Sequence, residues 1–129
     1  MDTSIAQQFA ALVDGTNFDE AAALLAEDCA YQYSEGKYQG RDNIINIYRQ
    51  NHLQSEKIFD ERVYSSKVEE TAEGTYKIDF IDKIRKGNAW HDFKCYQIVT
   101  VEDGKIVAID HHEYIGETEL LRAFYNKQR

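Results

Sequence analysis

An aspartate and a histidine are the residues of this chain best suited to acid/base chemistry. Residues 76–84 alternate apolar and charged side chains, which predicts a half-buried strand with Asp82 as the one carboxylate on its apolar row. A turn at Gly87-Asn88 would bring the next strand alongside and make His91 a diagonal neighbour of Asp82. A carboxylate beside an imidazole can exchange protons with a ligand, so we predict Asp82 and His91 as catalytic residues. A purely structural hydrogen bond between the two side chains would give the same sequence pattern.

A second two-residue turn, at Asp103-Gly104, sets the register of the last strand. Both residue types tolerate positive φ and suit the primed turns of tight hairpins. With uninterrupted pairing from that turn, Gln97 faces Asp110, and both Asp110 and His112 lie on the inner face. A single β-bulge would instead turn a different set inward, namely Ile109, His111 and Glu113.

Aromatic and amide side chains would complete a ligand pocket on the same face. On a first strand at about 29–33, alternation places Tyr31 and Tyr33 together, where their hydroxyls could donate to a ligand oxygen. The alternative is an aromatic core wall. The predicted ligand-binding residues are Tyr31, Tyr33, Phe80, Phe93, Gln97, Asp110 and His112. No metal is predicted, because His91, one of the adjacent histidines and a carboxylate show no diagnostic ligand spacing.

The helices and strands that must position these residues follow from periodicity and capping signals. Helix 1 is predicted over residues 4–14, with Ser4 and Gln7 as a capping box. Helix 2 begins at Asn17 with Glu20 as a second capping box, and helix 3 opens near residues 40–42 with Asp42 as its cap. A turn at 34–36 follows the first strand, and further strands are predicted over 62–69, 75–85, 89–102 and 105–115. A short helix over 118–127 closes an α+β fold of helices followed by an antiparallel meander.

Length and charge limit the class of protein. The chain has 129 residues, which suits a single domain over 1–129, and its formal net charge is −8. That charge opposes binding to nucleic acid or to anionic membranes. No apolar run approaches the roughly 18 residues of a membrane span, and the first residues do not form a signal peptide, so a cytoplasmic location is expected. Cys29 and Cys95 lie far apart in apolar segments and are interpreted as reduced core residues.

Three segments together resemble the nuclear-transport-factor-2-like superfamily, within it the SnoaL-like and ketosteroid-isomerase-like group. They are DEAAALLAED at 19–28, YQGRDNI at 38–44 and VEDGKIV at 101–107. The resemblance implies a cone, in which a curved antiparallel sheet wraps a long helix and leaves a pocket in its mouth. The group includes isomerases, cyclases, dehydratases, binding proteins and scaffolds, and many members are dimers. Phe9 and Tyr33 stand where the ketosteroid isomerases place their helix-1 tyrosine and their base aspartate, which argues against that mechanism here.

We therefore expect a small-molecule-binding SnoaL-like domain. The first functional hypothesis is a cofactor-independent acid/base enzyme of isomerase, dehydratase or cyclase type, acting on a small, partly apolar molecule. The alternative is a non-catalytic ligand-binding or dimeric interaction domain. A homodimer is expected through the outer face of the sheet, where large apolar side chains are predicted at Ile81, Trp90, Tyr96, Ile98 and Ile109.

Overall fold

The structure, a computed structural model, describes residues 4–127, apart from the side chains of residues 125 and 127. Within that range the chain forms helices packed against one six-stranded sheet. The helices are α1 (Ile5–Asp14), α2 (Phe18–Ala22), α3 (Arg41–Ile58) and α4 (Glu117–Lys127). The strands are β1 (Leu25–Tyr33), β2 (Gly36–Gln39), β3 (Glu61–Ala72), β4 (Thr75–Lys86), β5 (Ala89–Glu102) and β6 (Lys105–Glu113).

The sheet is a curved meander with one crossover, and it confirms the predicted α+β class. Its strand order is β2-β1-β6-β5-β4-β3, with antiparallel pairing throughout except between β1 and β6. The sheet is therefore mixed rather than wholly antiparallel. The parallel pair arises because α3 and four strands, β2 to β5, intervene between β1 and β6, so that β6 returns to β1 in the same direction.

The core lies between α1, α3 and the inner face of the sheet. Phe9 of α1, Ile44 of α3, and Val99 and Ile109 of the sheet are fully buried and belong to one apolar cluster. Burial of such side chains stabilises the fold by about 1.5–3 kcal/mol each. Within residues 4–127, no helix combines the length and the apolarity that crossing a membrane requires.

The helix caps agree only in part with prediction. The capping box of α1 is confirmed: Gln7 N–H donates to Ser4 Oγ at 3.0 Å, and Ser4 N–H donates to Gln7 Oε1 at 3.1 Å. The predicted box at Asn17 is wrong, since its side chain makes no capping hydrogen bond and α2 is only five residues long. The cap of α3 is Gly40 rather than Asp42. Gly40 has φ 98° and its carbonyl accepts from Ile44 N–H, which leaves Asp42 in the first turn.

The first strand also differs from prediction. It begins at Leu25, four residues before the expected start, because α2 is too short to occupy that stretch. The turn predicted at 34–36 instead leads into β2, a short edge strand in which Tyr38 pairs with Tyr31.

The hairpin between β4 and β5 has the predicted register. Lys86 pairs with Ala89 across the turn, and Asp82 pairs with Phe93. Gly87 has φ 62°, a left-handed conformation that glycine adopts without steric cost. Every side chain of this hairpin therefore lies on the face that alternation assigned to it.

The hairpin between β5 and β6 has a bulge, and its uninterrupted register was wrong. Val101 pairs with Ile106 as expected, but Thr100 then pairs with Ala108, which leaves Val107 as an extra residue. Ile106 and Ile109 are both fully buried, and strict alternation cannot bury two residues that are three positions apart. The bulge resolves that conflict, and its consequence is that Asp110 and His112 lie on the outer face while Ile109 and His111 lie on the inner face.

Candidate functional site

A cavity of about 170 Å³ opens between the helices and the inner face of the sheet. For scale, an apolar cavity of about 150 Å³ accommodates benzene, so the enclosed space here suits one six-membered ring. The helices supply Val13, Asp14, Phe18, Tyr48, Asn51, His52 and Ser55 to its lining. The strands supply Tyr31, Tyr64, Phe80, Asp82, Cys95, Gln97 and His111.

One side of the cavity, which we call the acidic half, holds Asp14, Asp82, His52 and Tyr64. Asp82 lies on β4 opposite Tyr64 of β3. Its carboxylate makes no hydrogen bond or ion pair with any other residue in the range 4–127. Burial, with the nearby Asp14 carboxylate as a lesser contribution, raises the pKa of Asp82 to about 6. Asp82 is thus a carboxylate that can take up or release a proton near neutral pH.

Asp14 is the last residue of α1 and its side chain is fixed by the sheet. Ser66 Oγ donates to Asp14 Oδ2 at 2.6 Å. Burial raises the pKa of Asp14, and the Ser66 hydrogen bond opposes that rise without cancelling it. A negative charge at a helix C-terminus is electrostatically unfavourable. Sequence analysis missed this residue, although an acidic C-terminal position with no basic residue in the last turn was an available signal.

His52 of α3 positions the hydroxyl of Tyr64. His52 Nε2 lies 3.4 Å from Glu56 Oε1, and His52 Nδ1 lies 2.9 Å from the Tyr64 hydroxyl. In the neutral imidazole, a proton on Nε2 serves Glu56 and leaves Nδ1 to accept from Tyr64. In this tautomer the Tyr64 hydroxyl proton is hydrogen-bonded to His52 and is not available to a ligand. Sequence analysis also missed His52, although Tyr48, Asn51, His52 and Ser55 have the spacing of one helix face.

The other side of the cavity, the amide half, is a hydrogen-bonded chain of Tyr48, Gln97 and His111. The Tyr48 hydroxyl donates to Gln97 Oε1 at 2.8 Å, and Gln97 Nε2 donates to His111 Nδ1 at 3.2 Å. Gln97 is only 3% exposed. Burial raises the pKa of Tyr48 and lowers the pKa of His111, so the chain is electrically neutral. The His111 ring stacks on Tyr31 with 6.1 Å between centroids.

Four of the predicted site residues line this cavity: Tyr31, Phe80, Asp82 and Gln97. His111 joins them through the bulged register that sequence analysis held as its alternative. Asp82 and His111 come from strands of one sheet. The cavity residues Asp14, Tyr48 and His52 come instead from helices, whose crossing angle local patterns do not predict.

The predicted pairing of Asp82 with His91 is absent from the structure. His91 pairs with Ile84 in the expected register, yet its ring stacks on Phe124 of α4 with 5.2 Å between centroids. Its buried Nε2 has no hydrogen-bond partner within the described part of the chain. His91 is thus packed against α4 and does not line the cavity.

The remaining predicted residues also lie outside the cavity lining. Tyr33 stacks on Tyr38 at the sheet edge, with 5.7 Å between centroids. Phe93 shares the inner face with Asp82 but does not line the cavity. Asp110 and His112, predicted to face inward, lie on the outer face because of the bulge, and His112 stacks there on Tyr96 with 4.9 Å between centroids.

The cavity offers no cluster of metal ligands and no activated thiol in residues 4–127. No group of three or more His, Cys, Asp or Glu side chains there is arranged to hold a metal ion. Cys29 and Cys95 are unpaired thiols. Burial raises the pKa of Cys95 to about 12 and that of Cys29 to about 11, so both remain protonated at neutral pH.

Comparison with solved structures confirms the fold. A putative polyketide cyclase from Xanthomonas campestris superposes with a TM-score of 0.68 at 13% identity, covering 97% of this chain and 94% of that one. An NTF2-like protein of unknown function from Burkholderia pseudomallei gives 0.68 at 15% identity, covering 92% of each chain. A hypothetical protein with a ketosteroid isomerase-like fold from Catenulispora acidiphila, in complex with trimethylamine, gives 0.65 at 16% identity, covering 91% and 90%.

Sequence comparison identifies the family. No curated protein sequence matches this chain. Residues 6–109, which include α1, the whole of α3 and the strands up to Ile109, match the SnoaL-like domain. Together with the cone of helices and curved sheet, this match shows that the chain belongs to the SnoaL-like family of the NTF2-like superfamily.

Proposed function

We propose that the cavity binds one small, partly apolar molecule and that Asp82 acts on it as a general base. The observation that carries this proposal is the state of Asp82: a carboxylate with a pKa of about 6, without a protein partner, on the wall of a ring-sized cavity. A base with a pKa near the working pH is ionised and still accepts a proton readily. Family membership supports a small-molecule pocket, and the neighbour in complex with trimethylamine suggests that a ligand of this size is suitable.

The reaction class that fits is cofactor-independent proton transfer, as in an isomerase, dehydratase or cyclase. Asp82 removes a proton from a carbon of the ligand, and the resulting carboxylic acid returns that proton to another atom of the same ligand. Atoms and charge balance without a cofactor. The rings of Phe18 and Phe80 line the cavity and limit the access of water to the carboxylate.

The second candidate is a ligand-binding module without catalysis. The observation that favours it is the use of the Tyr48 proton by Gln97, which leaves that hydroxyl unable to polarise a ligand carbonyl. The donor role was predicted for Tyr31 and Tyr33, of which only Tyr31 is among the residues that line this cavity.

The test is the isomerisation of cyclohex-3-enone to its conjugated isomer, cyclohex-2-enone. In this one-ring probe the base takes a proton from C2 and returns it to C4, and the conjugated product is followed by ultraviolet absorbance. We expect the rate to rise with pH through about 6. Asp82→Asn should lower it by about 10²-fold or more, because general base catalysis contributes on that order.

Asp110→Asn is the matched control, because Asp110 is a carboxylate of the same sheet, on β6, that faces away from the cavity. Its rate should equal that of the wild type. An Asp82→Asn protein as fast as the wild type would overturn the general-base role. Saturable binding of the probe without any acceleration would favour the binding module.

We also propose a cytoplasmic homodimer that associates through the outer face of the sheet. Trp90 is 49% exposed there, and Ile81, Tyr96 and Ile98 are partly exposed on the same face. Exposed apolar patches of this kind commonly mark interfaces. Ile109, predicted for this surface, is fully buried in the core, so the proposed interface depends on the other four residues. Sedimentation as a monomer at micromolar concentration would contradict it.

A further inference from the structure

We infer that the cavity takes a compact organic cation, such as a protonated amine that carries one small apolar ring. This inference rests on the proposed function in one respect, namely that the cavity is a ligand site. It adds the charge and the hydrogen-bonding character of the ligand, which the proposed function leaves open.

The first support is the charge of the lining. Among the described residues around the cavity there are two aspartates and neither lysine nor arginine. Two arginines of adjacent elements have carboxylate partners of their own: Arg49 lies 2.8 Å from Asp19, and Arg62 lies 3.7 Å from Glu56. Buried carboxylates without a counter-charge are unfavourable, and a cationic ligand would compensate them.

The second support is the direction of the hydrogen bonds. The Tyr48 hydroxyl donates to Gln97 Oε1. The Tyr64 hydroxyl lies 2.9 Å from His52 Nδ1 and donates to it in the tautomer whose Nε2 proton points to Glu56. Each phenol has therefore used its only proton, and its oxygen remains as an acceptor. The cavity thus presents acceptor oxygens from both halves, beside the Asp14 and Asp82 carboxylates. An ammonium group is purely a donor and suits these oxygens, whereas a carboxylate ligand has no proton to donate to them.

The third support is the shape and nature of the wall. Aromatic rings line the cavity on several sides, contributed by Phe18, Tyr31, Tyr48, Tyr64 and Phe80. Aromatic faces attract cations as well as apolar groups. The volume of about 170 Å³ limits the enclosed part of the ligand to about one ring.

The two aspartates then have different tasks. Asp14 is held in place by Ser66 and serves as the fixed counter-ion. Asp82 has no such partner and contacts the ligand directly. Because the side chains come from α1 and β4, the cation would lie where the C-terminus of a helix faces the sheet, and the negative end of the helix dipole would add to its binding.

The experiment compares three probes that share one ring: benzylamine, benzyl alcohol and benzoate. Binding to the protein of residues 1–129 is measured by calorimetry and by NMR shifts of cavity-lining residues at pH 7.5. Moderate salt suppresses general attraction of cations to a protein of net charge −8. We expect benzylamine to bind at least about tenfold more tightly than benzyl alcohol, equivalent to about 1.4 kcal/mol, and benzoate more weakly than either.

The Asp14→Asn/Asp82→Asn double variant should bind benzyl alcohol as the wild type does and lose the advantage of benzylamine. Asp110→Asn, which removes one charge from the outer face, should keep that advantage. Equal binding of the alcohol and the amine to the wild type would overturn the cation inference and leave the ligand site intact. If no probe shifts any cavity-lining resonance, the ligand site and the inference are both overturned.

Discussion

The two halves of the cavity treat their buried polar groups in opposite ways. In the amide half, Tyr48, Gln97 and His111 satisfy one another through two hydrogen bonds and carry no net charge. In the acidic half, Asp82 has no protein partner in the described chain, and Asp14 has one, from Ser66. A satisfied network stabilises a fold, whereas an uncompensated carboxylate costs stability. The difference suggests that the amide half is structural and that the acidic half is where ligand chemistry takes place.

Gln97→Leu should give the larger of two contrasting effects on stability. The substitution leaves the Tyr48 hydroxyl and His111 Nδ1 buried without partners, and each such loss costs about 1–3 kcal/mol. We expect the free energy of unfolding in urea to fall by about 3 kcal/mol. Gln32→Leu, at an exposed position on β1 of the same sheet, is the control and should change stability little. A Gln97→Leu protein as stable as the wild type would show that the chain of hydrogen bonds is not structural.

Asp82→Asn should increase the free energy of unfolding, by less than Gln97→Leu lowers it. The folded-state pKa of about 6 lies above the ordinary value of 3.8, so the favourable contribution of Asp82 is complete below about pH 4 and is lost as pH rises through 6. Asparagine does not ionise and avoids that loss. We expect the variant to exceed the wild type by about 2 kcal/mol in unfolding free energy at pH 7.5 and to match it near pH 4.

The measurement is urea denaturation of both proteins at the two pH values, with Asp110→Asn beside them. Asp110 faces the outer surface, so its substitution is the control for the loss of one carboxylate outside the cavity. If Asp82→Asn were less stable than the wild type at pH 7.5, the Asp82 carboxylate would have to be compensated within the protein, and the contrast between the two halves would disappear.

The site residues that could be predicted from sequence are those whose positions depend on local pairing between strands. The β4–β5 hairpin could be predicted residue by residue, because a two-residue turn and strict alternation together specify its register. Asp82, Phe80 and Gln97 were identified in this way. The family resemblance indicated the cone and is confirmed by the match to residues 6–109.

The remaining site residues depend on packing between distant elements. Asp14 and His52 lie on helices, and periodicity predicts which face of a helix is buried but not which strand that face meets. His91 is an example from the sheet. Its register was predicted correctly, but its surroundings depend on the contact with Phe124 of α4, which local patterns do not predict. Such contacts are decided by the whole fold rather than by neighbouring residues.

The bulge at Val107 has a genetic consequence. Deletion of the Val107 codon would restore uninterrupted pairing, and each residue from Ala108 onward would keep its present partner on β5. Ile109 would therefore stay in the core, and His111 would stay beside the cavity. The bulge is thus a position where the chain can lose one residue without exchanging the side chains that line the cavity. Alignments that ignore the bulge would match His111 with the wrong position in a relative that lacks it.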